Sequence, residues 1–160
     1  MRFPELSGRP VEVRYLRAPR DRRGPVDGGA MLRERRIVLD AALRRDSGRI
    51  LVHEIFHFAW VRLGNPRRRT FEDLLRRELQ ARARGELGWS AEWRKAELSA
   101  ADAAARTRRW REYCCESFCD TAAWMFSGVR RHPHFTLAPR FRRVRRAWFE
   151  AQGLTRAISI

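Results

Sequence analysis

The stretch SGRILVHEIFHFAWVRL, residues 47 to 63, decides how the chain is read. From Ile50 to Leu63 its only formally charged residues are Glu54 and Arg62, and neither Pro nor Gly interrupts it. Such a run reads as a buried helix, with Ser47 as its cap, Gly64 placed to end it and Pro66 beyond. His53 and His57 stand four residues apart. On a helix both imidazoles then project from one face, near enough to bind a single zinc ion at about 2.0 to 2.1 Å each. Glu54, next to the first His, points toward the coordination position left open, where a carboxylate can take a proton from a zinc-activated water and pass it to a leaving amine. The expectation is one Zn2+ ion and a metallopeptidase that hydrolyses peptide bonds in a protein or peptide substrate.

A catalytic zinc needs a third protein ligand while one position stays open to water. One large class of zinc peptidases places Gly three residues after the second His and another His three later; Trp60 and Leu63 occupy those positions and exclude it. His132 and His134 are distant and flank Pro133. The better candidate is Glu116, in YCCESFCDTAAWMF (residues 113 to 126), where an acidic residue sits among apolar and small ones on an expected helix. That placement is costly unless something such as metal ligation compensates it. Asp120, one turn further along the same face, can accept a hydrogen bond from the free imidazole N–H of a ligating His, with His53 preferred, and so fix its tautomer. The plainer alternative is a pair of helix carboxylates neutralised by Arg109 or Arg111.

HExxH at 53 to 57 followed by ExxxD at 116 to 120 resembles the gluzincin division of the zincin metallopeptidases, over residues 35 to 126. By that resemblance His53, His57 and Glu116 ligate zinc, Glu54 is the base, and Asp120 is the partner of a ligating His. It implies an α+β, helix-rich, zincin-like domain with a short antiparallel sheet packed on the HExxH helix and a later Glu-bearing helix beneath the metal. In zincins the strand before the HExxH helix receives substrate as an added strand, a role that falls here near Arg35 to Leu39. Members also carry a downstream His or Tyr that stabilises the oxyanion, for which His134 and Tyr113 are the candidates. One departure is that the 58 residues between His57 and Glu116 exceed the thermolysin spacing.

Working outward, VEVRYL at 11 to 16 alternates as a strand does, Pro19 to Gly29 reads as a long loop, and Arg35 to Leu39 is a second strand. Thr70 with Asp73 is a capping pattern for a helix over FEDLLRRELQARARGEL, residues 71 to 87. Trp93 to Leu98 suggests a short helical piece. A helix then runs from Ser99, with Asp102 in a capping-box variant, to about Phe126 and stops near Gly128. Pro139 starts a last helix bearing Phe141, Val144 and Trp148 before Gly153. One domain over residues 1 to 160 accommodates all of this.

The formal charge of +16 sits on a chain that is 44% hydrophobic, so disorder is excluded. Every one of the 35 basic residues except Lys95 is Arg. Such a charge attracts nucleic acid, anionic lipid or acidic protein without choosing among them. Arg67, Arg68, Arg69 and the Arg-rich segment from Pro139 to Gln152 could contact phosphates, and Phe141, Trp148 and Phe149 either stack on bases or pack into a core. The alternative function is therefore a basic nucleic-acid or protein-binding module on a non-catalytic zincin-like fold. A basic zinc protease also resembles the SprT-like enzymes that act on DNA-bound proteins, although their third ligand is usually His. The N-terminus lacks the apolar core of a signal peptide and no run is long enough for a membrane span, so the expectation is a cytoplasmic protein starting near Met1. Cys114, Cys115 and Cys119 fit a reducing compartment. Cys115 and Cys119, four apart, are either small buried apolar residues, part of a closed His and Cys zinc site, or a redox switch.

Overall fold

Three consecutive apolar residues, Ile37, Val38 and Leu39, form a strand buried on both faces, and the sheet is arranged around it. A computed structural model of the chain describes residues 1–21, 24–43 and 46–160. In chain order the strands are β1 (Glu5–Ser7), β2 (Glu12–Leu16), β3 (Arg20–Asp21), β4 (Gly24–Pro25), β5 (Gly28–Met31) and β6 (Arg36–Asp40). The helices follow: α1 (Ser47–Arg62), α2 (Gly64–Gln80), α3 (Trp89–Ala96), α4 (Ala100–Ala105), α5 (Arg108–Phe126) and α6 (Pro139–Ala151), with β7 (Ala157–Ser159) last. The class is α+β and helix-rich. Among the described residues no helix is long and apolar enough to cross a membrane.

The sheet is mixed, which corrects the expectation of an antiparallel one. In the order β2-β6-β5, β2 runs parallel to β6 with Val13 opposite Ile37, while β5 runs antiparallel to it with Ala30 opposite Ile37. Parallel neighbours need a long connection, and residues 17 to 35 supply it. The expected loop from Pro19 to Gly29 therefore holds β3, β4 and the start of β5, with Arg22 and Arg23 outside the described residues. Nothing in Gly-Gly-Ala-Met announces a strand, because it lacks β-branched and aromatic residues. Its glycine has a packing reason: a Cβ at Gly28 would lie 2.7 Å from Ile50 Cγ2, so β5 can rest on α1 only without a side chain there. A separate parallel pair, β1 with β7, joins the first strand to the last, Leu6 opposite Ile158.

α1 is buried on most sides. Phe56 stacks on Phe126 of α5, with ring centroids 5.5 Å apart, and Phe118 of α5 stacks on Phe149 of α6 at 4.9 Å. Trp148 packs on Phe71, and Phe141 joins a smaller apolar cluster, so these α6 aromatics belong to the core and not to a base-stacking face. Several boundaries differ from expectation: α2 ends at Gln80 short of Leu87, and α3 spans Trp89–Ala96 where Trp93 to Leu98 was expected. Gly64, at φ +77°, ends α1 but also opens α2, so Thr70 lies inside that helix, its hydroxyl donating to the Arg67 carbonyl. Asp46, not Ser47, is the N-cap of α1. The single helix expected from Ser99 is two: the Ser99–Asp102 capping box starts α4, Arg106 turns left-handed at φ 50°, and Thr107 caps α5. A non-glycine residue in that conformation is strained. Here the Arg106 guanidinium is fixed by two hydrogen bonds to buried Glu72, at 2.6 and 2.8 Å.

Candidate metal centre

α1 and α5 cross so that the face carrying His53 and His57 meets the face carrying Cys115, Glu116, Cys119 and Asp120. His53 Nδ1 lies 2.8 Å from Asp120 Oδ1 in a buried contact. An ionised carboxylate only accepts, so the proton is on Nδ1 and the Nε2 lone pair points away from Asp120. That Nε2 atom lies 3.2 Å from His57 Nε2 and 3.2 Å from Glu116 Oε2. His57 directs its other nitrogen, Nδ1, at Cys115 Sγ, 3.4 Å away. Glu54 Oε2 stands 3.9 Å from His57 Nε2.

Donors about 2.0 to 2.1 Å from a tetrahedral zinc stand about 3.3 Å from one another. His57 Nε2 and Glu116 Oε2 both stand at about that distance from His53 Nε2, 3.2 Å each. Without a cation or proton between them, lone pairs at these distances repel, so the arrangement suits a positive charge beside His53 Nε2. Ligand atoms of His53, His57 and Cys119 also lie within 4.8 Å of one another, so this group could hold a metal ion. Cys119 enters here as in the closed His and Cys site that its spacing from Cys115 left open as an alternative, not as part of the favoured ligand set.

The electrostatics agree. Burial opposes a charged imidazole at His53, yet the Asp120 carboxylate and the bond to Glu116 outweigh it and raise its pKa well above the ordinary value. Burial opposes charge at His57 too, but Cys115, Glu54 and Glu116 lift it to about 9. Glu116 is pushed up by burial but held down to about 2 by its bond to His53 and by the charges of His57, His53 and Arg94. Glu54 moves the other way: burial raises it, and the two imidazoles only partly offset that. The carboxylates thus impose a field that favours cations, while Glu54 takes up a proton more readily than Glu116.

α3 holds this arrangement from outside. The Ala91 N–H donates to Asp120 Oδ2 at 3.0 Å, so Asp120 bridges α3 to His53. A Cβ at Gly88 would overlap the Asp120 carboxyl group. Arg94 reaches Glu116 Oε1 at 3.4 Å, lies 4.2 Å over the Trp93 ring and donates to the Ser90 carbonyl at 2.7 Å. Sequence reasoning found a helical piece here but no part for it in the site. No local signal links α3 to Asp120, because Ala91 and Asp120 are 29 residues apart.

The centre opens into a cleft of about 590 Å³ lined by His53, Glu54, His57 and Glu116, with β5 along one side and Trp89 on the other. His134 lines the cleft, its ring 6.3 Å from that of Trp89. Tyr113 does not. Its hydroxyl is buried and donates to Glu86 Oε1 at 2.6 Å, inside a network in which Arg145 bonds both Glu86 and Glu78. The oxyanion role considered for Tyr113 has no access to the cleft, because that hydroxyl is committed to the core. No protein-family model, curated protein or solved structure matches the chain.

Proposed function

We propose that the protein is a zinc-dependent, gluzincin-like metalloendopeptidase. The reading rests on one observation above all: His57 Nε2 and Glu116 Oε2 each lie 3.2 Å from His53 Nε2 in the lining of an open cleft, with the Glu54 carboxylate 3.9 Å from His57. His53, His57 and Glu116 would hold the ion, and Asp120 would keep His53 in the tautomer that offers Nε2. Zinc bound there would supply Lewis acidity toward a scissile carbonyl and lower the pKa of a water. Glu54 takes the proton from that water and delivers it to the departing amine, a task suited to a carboxyl whose pKa burial has raised. His134, on the cleft wall, is the remaining candidate for steadying negative charge on the substrate oxygen.

The substrate-receiving strand has to be reassigned. β6 has neighbours on both sides and cannot pair with another chain, whereas β5 is a sheet edge along the cleft. A peptide added to β5 passes beside Glu54, and Gly29, where a Cβ would meet nothing within 4 Å, leaves room for its side chains.

The test is Glu54→Gln. Zinc content by elemental analysis is expected to stay near one ion per chain while hydrolysis of an unfolded protein substrate falls by about 100-fold or more. Unchanged hydrolysis removes Glu54 from the chemistry, and a purified wild-type protein that takes up no zinc removes the proposal.

A second reading is favoured by how charge is sorted. Among the described residues six carboxylates are buried but only two Arg, so the surface is more positive than the formal charge of +16. That surface suits nucleic acid as a partner, with or without turnover at the cleft.

A further inference from the structure

Of the α5 residues near the histidine pair, Glu116 and Cys119 differ in their access to the cleft. Glu116 lines the cleft. Cys119 is fully buried and is not part of the cleft lining, yet its sulfur belongs to the set of ligand atoms, with those of His53 and His57, that lie within 4.8 Å of one another. Glu116 is close to His53, at 3.2 Å, but it is not a member of that set. Glu116 and Cys119 are three residues apart on α5, so they project from the same side of the helix at successive heights.

We propose that Cys119 is an alternative third donor, so that the ion occupies either a cleft-facing position on His53, His57 and Glu116 or an interior position on His53, His57 and Cys119. The proposal rests on the histidine pair being a metal site. Its chemistry differs between the two positions. A carboxylate and two imidazoles form a borderline, water-accessible site, whereas a thiolate and two imidazoles favour softer ions and exclude solvent. In the interior position Cys119 Sγ would take the place of the Glu116 oxygen as third donor, and the thiol would release its proton to solvent on binding. The Cys119 thiol is hydrogen-bonded to the Cys115 thiol. Cys115 in turn faces His57 Nδ1, so it orients the imidazole instead of competing for the ion.

The experiment replaces zinc with cobalt(II) in the full chain and reads the near-ultraviolet absorption. A thiolate-to-cobalt charge-transfer band is expected in the wild type, stronger in Glu116→Gln, retained in Cys115→Ser and lost in Cys119→Ser. Circular dichroism checks that each variant folds. Should Cys119→Ser fail to fold, cadmium NMR of the wild type decides, since a sulfur ligand moves the resonance far from its nitrogen and oxygen range. Stoichiometric cobalt with no such band, a band that survives Cys119→Ser, or a cadmium resonance in the nitrogen and oxygen range overturns the proposal. A band-free cobalt protein that still hydrolyses peptides leaves the hydrolytic reading standing, whereas failure to bind cobalt at all sinks both.

Discussion

Gly88 stands against Asp120 at extended backbone angles that any residue can adopt, so what excludes a side chain there is the Asp120 carboxyl group and not conformation. A methyl group at position 88 has to move that carboxyl, and with it the acceptor that sets the His53 tautomer. Gly88→Ala is therefore expected to leave the fold intact while weakening zinc binding by about 10- to 100-fold, the cost usual for disturbing the partner of a ligating His. Zinc affinity by competition with a chelator measures this; an unchanged affinity would show that Asp120 does not govern His53. Of the residues in this chain of contacts, His53, Glu54 and His57 are legible in the sequence because helical spacing alone puts them together. Glu116 and Asp120 are legible because carboxylates amid apolar residues ask for an explanation. Gly88 and Ala91 are not, since a backbone N–H and a missing side chain leave no chemical trace, and Cys119 is legible only as one of several readings, because a buried cysteine also reads like any small apolar residue.

Helices reveal themselves more readily than the devices that join them. α1 and α6 announce themselves through an uninterrupted apolar run and a Pro at the first helical turn, whereas the break between α4 and α5 depends on Arg106 pairing with Glu72, 34 residues away. A comparable long-range device ties α2, α3, α5 and α6 together. Arg145 of α6 lies fully buried between Glu78 of α2 and Glu86, and Glu86 also meets Tyr113 of α5 and Lys95 of α3. Burial pushes Glu86 up, but Arg145 chiefly, with Lys95 and Tyr113, holds it at about 2 against an ordinary 4.5. Its folded pKa being depressed, the stabilisation is full above about 4.5 and disappears as pH falls toward about 2, where the folded form also takes up the proton. Glu86→Gln should lower stability at neutral pH by about 3 kcal/mol and flatten the fall of Tm across that acid window. Thermal unfolding at a series of pH values checks it, and an unaltered slope would mean that other carboxylates carry the acid sensitivity. Removing Arg145 is expected to cost more, about 3 to 5 kcal/mol, because two buried carboxylates lose their counter-charge.

Taken whole, the described residues bury six carboxylates against two Arg, which leaves the surface strongly positive. The exposed Arg67, Arg69 and Arg77 of α2 and Arg140, Arg143 and Arg146 of α6 contribute to that surface. Binding to duplex DNA is expected to weaken steeply with salt, by about 10³-fold between about 50 and 200 mM when six or more phosphates are engaged. Fluorescence anisotropy at several salt concentrations gives the slope, and a slope near zero would dismiss the surface as a polyanion site. One further consequence concerns time. His53 and Asp120 are separated by 67 residues, so the contact between α1 and α5 closes a long loop and forms only once much of the chain has collapsed. During synthesis the segment bearing both histidines leaves the ribosome well before the segment bearing Glu116, Cys119 and Asp120. Until the second arrives there is half a site, with nothing to orient its imidazoles. Acquisition of the ion is then a late event that marks a finished fold, and its binding energy falls almost entirely on the native state.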